Sequence, residues 1–140
     1  MSNPVQHASI AAWTDEAHVA ENRRLYREKF AAFHERVHPV LPLVMPDAAF
    51  YFWADVGACP GNPQAGGDDT AFARELFAAT HVTVLPGSYI SREAHGVNPG
   101  RGFVRMALVS TVQDAIEAAH RIHGFLAQRA AAAQPARRAV

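Results

Sequence analysis

The residue type and setting most suited to chemistry in this chain belong to Arg105, in the apolar run Phe103-Val104-Arg105-Met106-Ala107-Leu108-Val109. A strand this apolar is at least half buried, and a guanidinium within it keeps its charge, because its pKa lies above about 12. Burying that charge without a partner costs on the order of several kcal/mol, so a carboxylate or phosphate is required. Strand alternation places Arg105 on one face with Phe103, Ala107 and Val109, and no acidic residue stands near it in sequence. A bound ligand is one candidate for the partner. The 86–102 segment that precedes the strand contains Ser88, Tyr89, Ser91, Arg92, Asn98 and Arg101 among its glycines and prolines. Long loops of this kind tend to be functional.

His34-Glu35-Arg36-Val37-His38 offers a second chemistry, since it matches the His-Glu-x-x-His pattern in which two histidines hold zinc and the glutamate activates water. Pro39 biases His38 away from helical geometry, which spoils the shared face, and no third ligand stands out downstream. A solvated helix end, with histidines near the negative pole of the dipole, is the simpler reading, and a zinc hydrolase the remote one. His7, His18, His81, His95, His120 and His123 show no ligand spacing and read as surface or helix-end residues. Cys59 lacks a basic neighbour and reads as inert. Ser88 lacks the second glycine of a nucleophile elbow and reads as a turn residue. Trp13 and the Phe50-Tyr51-Phe52-Trp53 run read as core or interface, because no basic stripe accompanies them as a stacking platform requires.

These residues must be positioned by a chain of 140 residues, the length of one domain with a real core. Thirteen basic residues balance thirteen acidic ones, so no global field points to nucleic acid or an anionic membrane. The basic side is twelve arginines and one lysine, Lys29. A single cysteine excludes an internal disulfide and fits a reducing cytoplasm. No apolar run reaches membrane-spanning length, and no signal-peptide pattern opens the chain.

Asn3 as N-cap and Pro4 at the first helical position predict a short helix over 4–13. Thr14 and Asp15 can cap a second helix over 16–37, whose stripe is Val19, Tyr26, Phe30, Phe33 and Val37; Pro39 and Pro42 end it. An aromatic strand follows over 49–54, then a glycine- and proline-rich loop over 57–67. Asp68 and Asp69 can cap a helix over 70–79 with Phe72, Leu76 and Ala79 inward and Phe77 beside them. A short strand over 82–85, the 86–102 loop and the Arg105 strand come next. Thr111 caps a last helix with Val112, Ala115, Ile116, Ala119, Ile122 and Leu126 on one face. The tail over 129–140 is expected to fray. The fold class is α/β in the α+β sense: a small three-stranded sheet covered by helices on one side. The first two helices extend beyond what so small a sheet can cover, which leaves surface for another domain or subunit.

Val82-Thr83-Val84-Leu85-Pro86-Gly87-Ser88, with Gly102-Phe103-Val104-Arg105-Met106-Ala107-Leu108, resembles the C-terminal small domain of fold-type I, pyridoxal-phosphate-dependent aminotransferases. Asp47-Ala48-Ala49-Phe50-Tyr51-Phe52-Trp53 is similar to that family's first small-domain strand. The 88–100 loop, together with Pro4-Val5-Gln6-His7-Ala8-Ser9, is most similar to the N-succinyldiaminopimelate branch. The resemblance runs from Asn3 to about Leu126. It implies that Arg105 grips the substrate α-carboxylate and that Arg92 and Asn98, at the substrate entrance, help hold the distal end. It also implies that residues 1–15 belong with a large domain and a homodimer interface, and that 16–128 form the small domain. The partners implied are an amino-acid or oxo-acid dicarboxylate and the large domain. The Schiff-base lysine and the cofactor-binding residues would lie upstream of the matched segment, so no catalytic or cofactor-binding residue is expected in this chain. Lys29 fits no family motif. A non-catalytic interaction or dimerisation module is the alternative from another class.

Overall fold

Phe30, Phe33 and Val37 recur at helical spacing on one face of a helix, and Ala115, Ala119, Ile122 and Leu126 do the same on another; all seven are buried. Two such stripes pack on each other and on the apolar face of a sheet. In the computed structural model, which describes residues 1–57, 59 and 68–133, the elements are α1 (Asn3–Thr14), α2 (Ala17–Val37), β1 (Tyr51–Asp55), α3 (Asp69–Thr80), β2 (Leu85–Pro86), α4 (Gly87–Ile90), β3 (Phe103–Ala107) and α5 (Val112–Ala133). The sheet runs β1-β3-β2, with both pairings antiparallel. Phe52, Ala54, Val104 and Met106 form its covered face. Phe52 meets Phe30 edge-on at 4.9 Å and stacks on Phe33 at 5.5 Å. Phe72 and Leu76 of α3 join the same core.

The predicted fold class and three-stranded sheet are found, with local differences. Ser2, not Asn3, takes the extended cap position of α1, and no side chain caps that end. Asp15 does serve α2, accepting the Ala17 N–H at 3.0 Å, while Thr14 donates back to the Ile10 carbonyl instead. The strand predicted from residue 49 starts at Tyr51, since Ala49 has a φ of 81°. The strand predicted over 82–85 reduces to the pair Leu85–Pro86, at a sheet edge where proline's missing N–H is tolerated. On α3 the buried set is Asp69, Phe72, Ala73, Leu76 and Thr80, whereas Ala79 and Phe77 are exposed. Thr80 can be inside because its hydroxyl donates to the Leu76 carbonyl at 2.6 Å.

Asp68 caps α3 through the Ala71 N–H at 2.9 Å. Thr111 and Asp114 cap α5 reciprocally: the Asp114 N–H donates to Thr111 Oγ1 at 3.1 Å and the Thr111 N–H to Asp114 Oδ2 at 3.3 Å. The 86–102 segment is not wholly irregular, because it contains the single turn α4 and a bridge between Ala94 and Val97. Helix α5 runs on to Ala133, past the point where fraying was expected, and there Arg129 pairs with Glu75 at 2.7 Å. Apart from Gly57 and Cys59, the predicted 57–67 loop lies outside the described residues, as does 134–140. No helix among the described residues is long and apolar enough to cross a membrane.

Candidate functional site

With one face of the sheet packed on helices, β3 sends Val104 and Met106 into the core and leaves Phe103, Arg105 and Ala107 on the open face. Arg105 lies between Trp53 of β1 and Leu85 of β2, its direct cross-strand partners. The Tyr51 ring stands 5.6 Å from the guanidinium carbon, and Trp53 stacks on Phe103 at 5.7 Å with planes 11° apart. The Arg105 Nε is buried and has no hydrogen-bond partner, and no carboxylate pairs with the guanidinium among the described residues. A buried donor left without an acceptor costs about 1–3 kcal/mol. The Tyr51 contact returns about 0.5–1 kcal/mol at a partly exposed position. A carboxylate is the group that accepts two parallel N–H bonds from a guanidinium.

Beside Arg105 the 87–102 segment is held by a line of hydrogen bonds. The Asp69 carboxylate, 3% exposed, accepts the Ser88 N–H at 2.7 Å. The Ser88 carbonyl accepts the Asn98 side-chain N–H at 3.0 Å, and Asn98 Oδ1 accepts the Gly100 N–H at 2.9 Å. Gly100 in turn lies directly on Gly87 and on the Ser91 hydroxyl, where an added Cβ would overlap both. Its carbonyl accepts the Phe103 N–H at 3.1 Å, at the start of β3. Asn98 is thus engaged at both ends of its carboxamide, while Arg92 is exposed one residue beyond Ser91. Sequence reading missed Asp69 as more than a helix-end acid and missed Tyr51 as the ring over Arg105. Only the Tyr51 placement had a usable signal, the two-residue period of β1.

The remaining sequence candidates are occupied elsewhere. His38 stays helical, with φ −54° and ψ −35°, contrary to the bias expected before Pro39. Its ring stacks on His34 at 4.5 Å and accepts the Leu43 N–H at 3.1 Å, while His34 Nε2 bonds the Leu43 carbonyl at 3.2 Å. The pair therefore clasps the chain after α2, and its hydrogen bonds compensate the proline's bias. Among the described residues no three His, Cys, Asp or Glu side chains converge as a metal site. Cys59 is buried, and burial pushes its thiol pKa up, away from a reactive thiolate. His123 is not a free surface residue: it bonds the Arg36 carbonyl at 2.9 Å, and His120 accepts from Arg36 Nε at 3.0 Å.

The site is thus an open-faced antiparallel sheet with Arg105 on its middle strand, flanked by a loop pinned through Asp69 and Asn98. The chain belongs to the aminotransferase class I and II family, whose model matches residues 1–122. It is 32% identical over 120 residues to the LL-diaminopimelate aminotransferase of Syntrophobacter fumaroxidans, covering 82% of this chain and 28% of that protein. An aminotransferase of Neisseria meningitidis superposes with a TM-score of 0.80 at 45% identity, over 90% of this chain and 30% of its own. The "probable N-succinyldiaminopimelate aminotransferase" of Thermus thermophilus superposes with a TM-score of 0.61 at 34% identity, over 79% of this chain and 26% of its own. The chain spans under a third of the length of these relatives.

Enzymes of this family use pyridoxal phosphate, whose aldehyde reacts with a lysine amine. The described residues do not fit that group. Lys29, the only lysine, is 8% exposed on the helix-covered side of the sheet, opposite the Arg105 face. Its Nζ donates to the Leu108 carbonyl at 3.2 Å and lies 4.5 Å from the centre of the Tyr26 ring.

Proposed function

We propose that this chain is the small-domain portion of a pyridoxal-phosphate aminotransferase and that Arg105 holds the α-carboxylate of its amino-acid substrate. The observation that carries this reading is the buried, partnerless Nε of Arg105 on the open face of the sheet. The acceptor we favour is N-succinyl-2-amino-6-oxopimelate with glutamate as donor, a reading supported by the 34% identity to the Thermus thermophilus protein. Residues 16–128 form the small domain, with α5 continuing it to Ala133, and residues 1–15 join a large domain and a homodimer interface. The setting is the cytoplasm. By itself the chain neither holds the cofactor covalently nor turns over, because Lys29 is committed to Leu108. Arg92 reaches the distal end of the substrate, and Asn98 acts by holding the loop that carries Arg92.

The test is Arg105→Ala in the complete enzyme. Removing a bidentate charge-assisted pair costs about 2–3 kcal/mol, so kcat/KM for glutamate falls roughly 30- to 150-fold. Arg105→Lys restores only part, since an ammonium lacks the planar fork. Unchanged kcat/KM in Arg105→Ala overturns the assignment.

The alternative is a non-catalytic pairing module, which the exposed face of α1 fits as well as it fits a large-domain interface. Helix α1 buries no residue and exposes Val5, Ile10 and Trp13, the last at 84%. Scattering that finds a monomer at all concentrations argues against it.

A further inference from the structure

We propose that the C-terminal turn of α2 is an acid-sensitive clasp. His38 holds the 39–46 connection to β1 as a neutral hydrogen-bond acceptor, and its protonation releases that connection.

Four of the chain's eight histidines bond at this turn: His34 and His38 to Leu43, His120 and His123 to Arg36. Their roles divide in pairs. His34 Nε2 donates to the Leu43 carbonyl and His123 Nδ1 to the Arg36 carbonyl, which an imidazole does whether neutral or charged. His38 Nδ1 accepts the Leu43 N–H at 3.1 Å, and His120 Nε2 accepts from Arg36 Nε at 3.0 Å. Only a neutral imidazole has a nitrogen lone pair to accept with. The end of a helix favours a cation. At His38, however, the added proton sits on Nδ1 and faces the Leu43 N–H. The His34 ring stacks 4.5 Å away, so a second proton there sets two positive rings against each other. Little else in contact offsets such a charge. On α2, Glu35 is paired with Arg36 at 3.6 Å. Among the described residues α5 offers only His120 and His123, both bonded to Arg36, and β1 offers Phe52, 6.2 Å from the His34 ring. The 39–46 connection has no titratable side chain. The folded state thus opposes proton uptake at His38. The stability from this bond is present at neutral pH and lost as pH falls through the imidazole range, about 8 to 5. The connection seats Leu41 and Leu43 in the core and leads to β1, which carries Tyr51 and Trp53 beside Arg105.

The experiment follows the full 140-residue chain by NMR from about pH 7.5 to about pH 5.5. Imidazole nitrogen shifts report which nitrogen carries the proton. Amide exchange gives the protection of Leu43 relative to Leu108, whose N–H bonds the Phe50 carbonyl at 2.9 Å. At the upper pH the proton of His38 is on Nε2 and that of His120 on Nδ1. Across the range the Leu43-to-Leu108 protection ratio falls about tenfold in the wild type, as the loss of one hydrogen bond gives. His38→Asn puts a carboxamide oxygen near the Nδ1 position and does not titrate, so its ratio stays within about twofold. His120→Gln leaves the Leu43 bond alone, and its ratio falls as in the wild type. A wild-type ratio that holds within about twofold overturns the proposal, and so does a His38 protonated on Nδ1 at the upper pH. Should His38→Asn fail to fold, the wild-type titration decides: loss of Leu43 protection tracks the His38 nitrogen shifts, and a midpoint apart from theirs overturns the clasp.

Discussion

Arg105 and Lys29 are the two cations whose surroundings divide this molecule. Arg105 is held between strands with a ring over it and no acceptor at its Nε. Lys29 is enclosed and donates to a carbonyl. The lysine is thus a structural residue, although its type first suggests chemistry. Lys29→Met keeps the aliphatic packing but leaves the Leu108 carbonyl without its donor, and we predict a loss of about 1–3 kcal/mol in urea unfolding. Borohydride treatment with pyridoxal phosphate should leave Lys29 unmodified in the wild type, and a Lys29 adduct found by mass spectrometry contradicts this placement. The open-face position of Arg105 was legible from strand alternation alone. The absence of an acceptor for its Nε among the described residues was not, because pairing depends on residues distant in sequence.

At the scale of elements, Asp68 makes α3 sensitive to pH. Hydrogen bonds from the Thr70 hydroxyl and the Ala71 N–H hold the Asp68 carboxyl below the usual carboxylate range. A depressed pKa in the folded state means that its contribution is present above the unfolded value, near about 4, and lost as pH falls through the folded one. Asp68→Asn caps without titrating, so we predict that it loses less stability between about pH 5 and pH 2 than the wild type. Equal losses in thermal unfolding across that range contradict this. The Gly87–Gly100 contact is a second element-level device. Gly87→Ala places a Cβ against the Gly100 and Phe103 carbonyls and the Trp53 ring. Neither backbone yields without cost, and about 1–3 kcal/mol of destabilisation follows; a neutral Gly87→Ala in guanidinium unfolding contradicts the packing. The caps at Asp68 and Thr111 were readable because capping is local. Thr80 was misplaced in favour of Ala79 because a hydroxyl that bonds its own helix is invisible to an apolar stripe.

For the whole molecule, the sheet has one covered face and one open face, and α1 has no buried residue. Trp13 contributes nothing to the fold of the isolated chain, so we predict that Ile10→Ser with Trp13→Ser changes unfolding free energy by less than about 0.5 kcal/mol. The same pair should lower any concentration-dependent association seen by sedimentation. A large stability loss would show α1 docked on the rest of the chain.

The sequence by itself determined the order and type of most elements, the stripes of α2 and α5, and the face on which Arg105 stands. Those features depend on periods and caps within a few residues of one another. Only the tertiary structure decided that the Arg105 Nε has no acceptor among the described residues, that Lys29 is sealed under the sheet, that His38 stays helical by leaning on Leu43, and that Asp69 reaches Ser88. Each of these depends on atoms brought together across separate elements, and a buried polar group has its meaning only once its neighbours are in place.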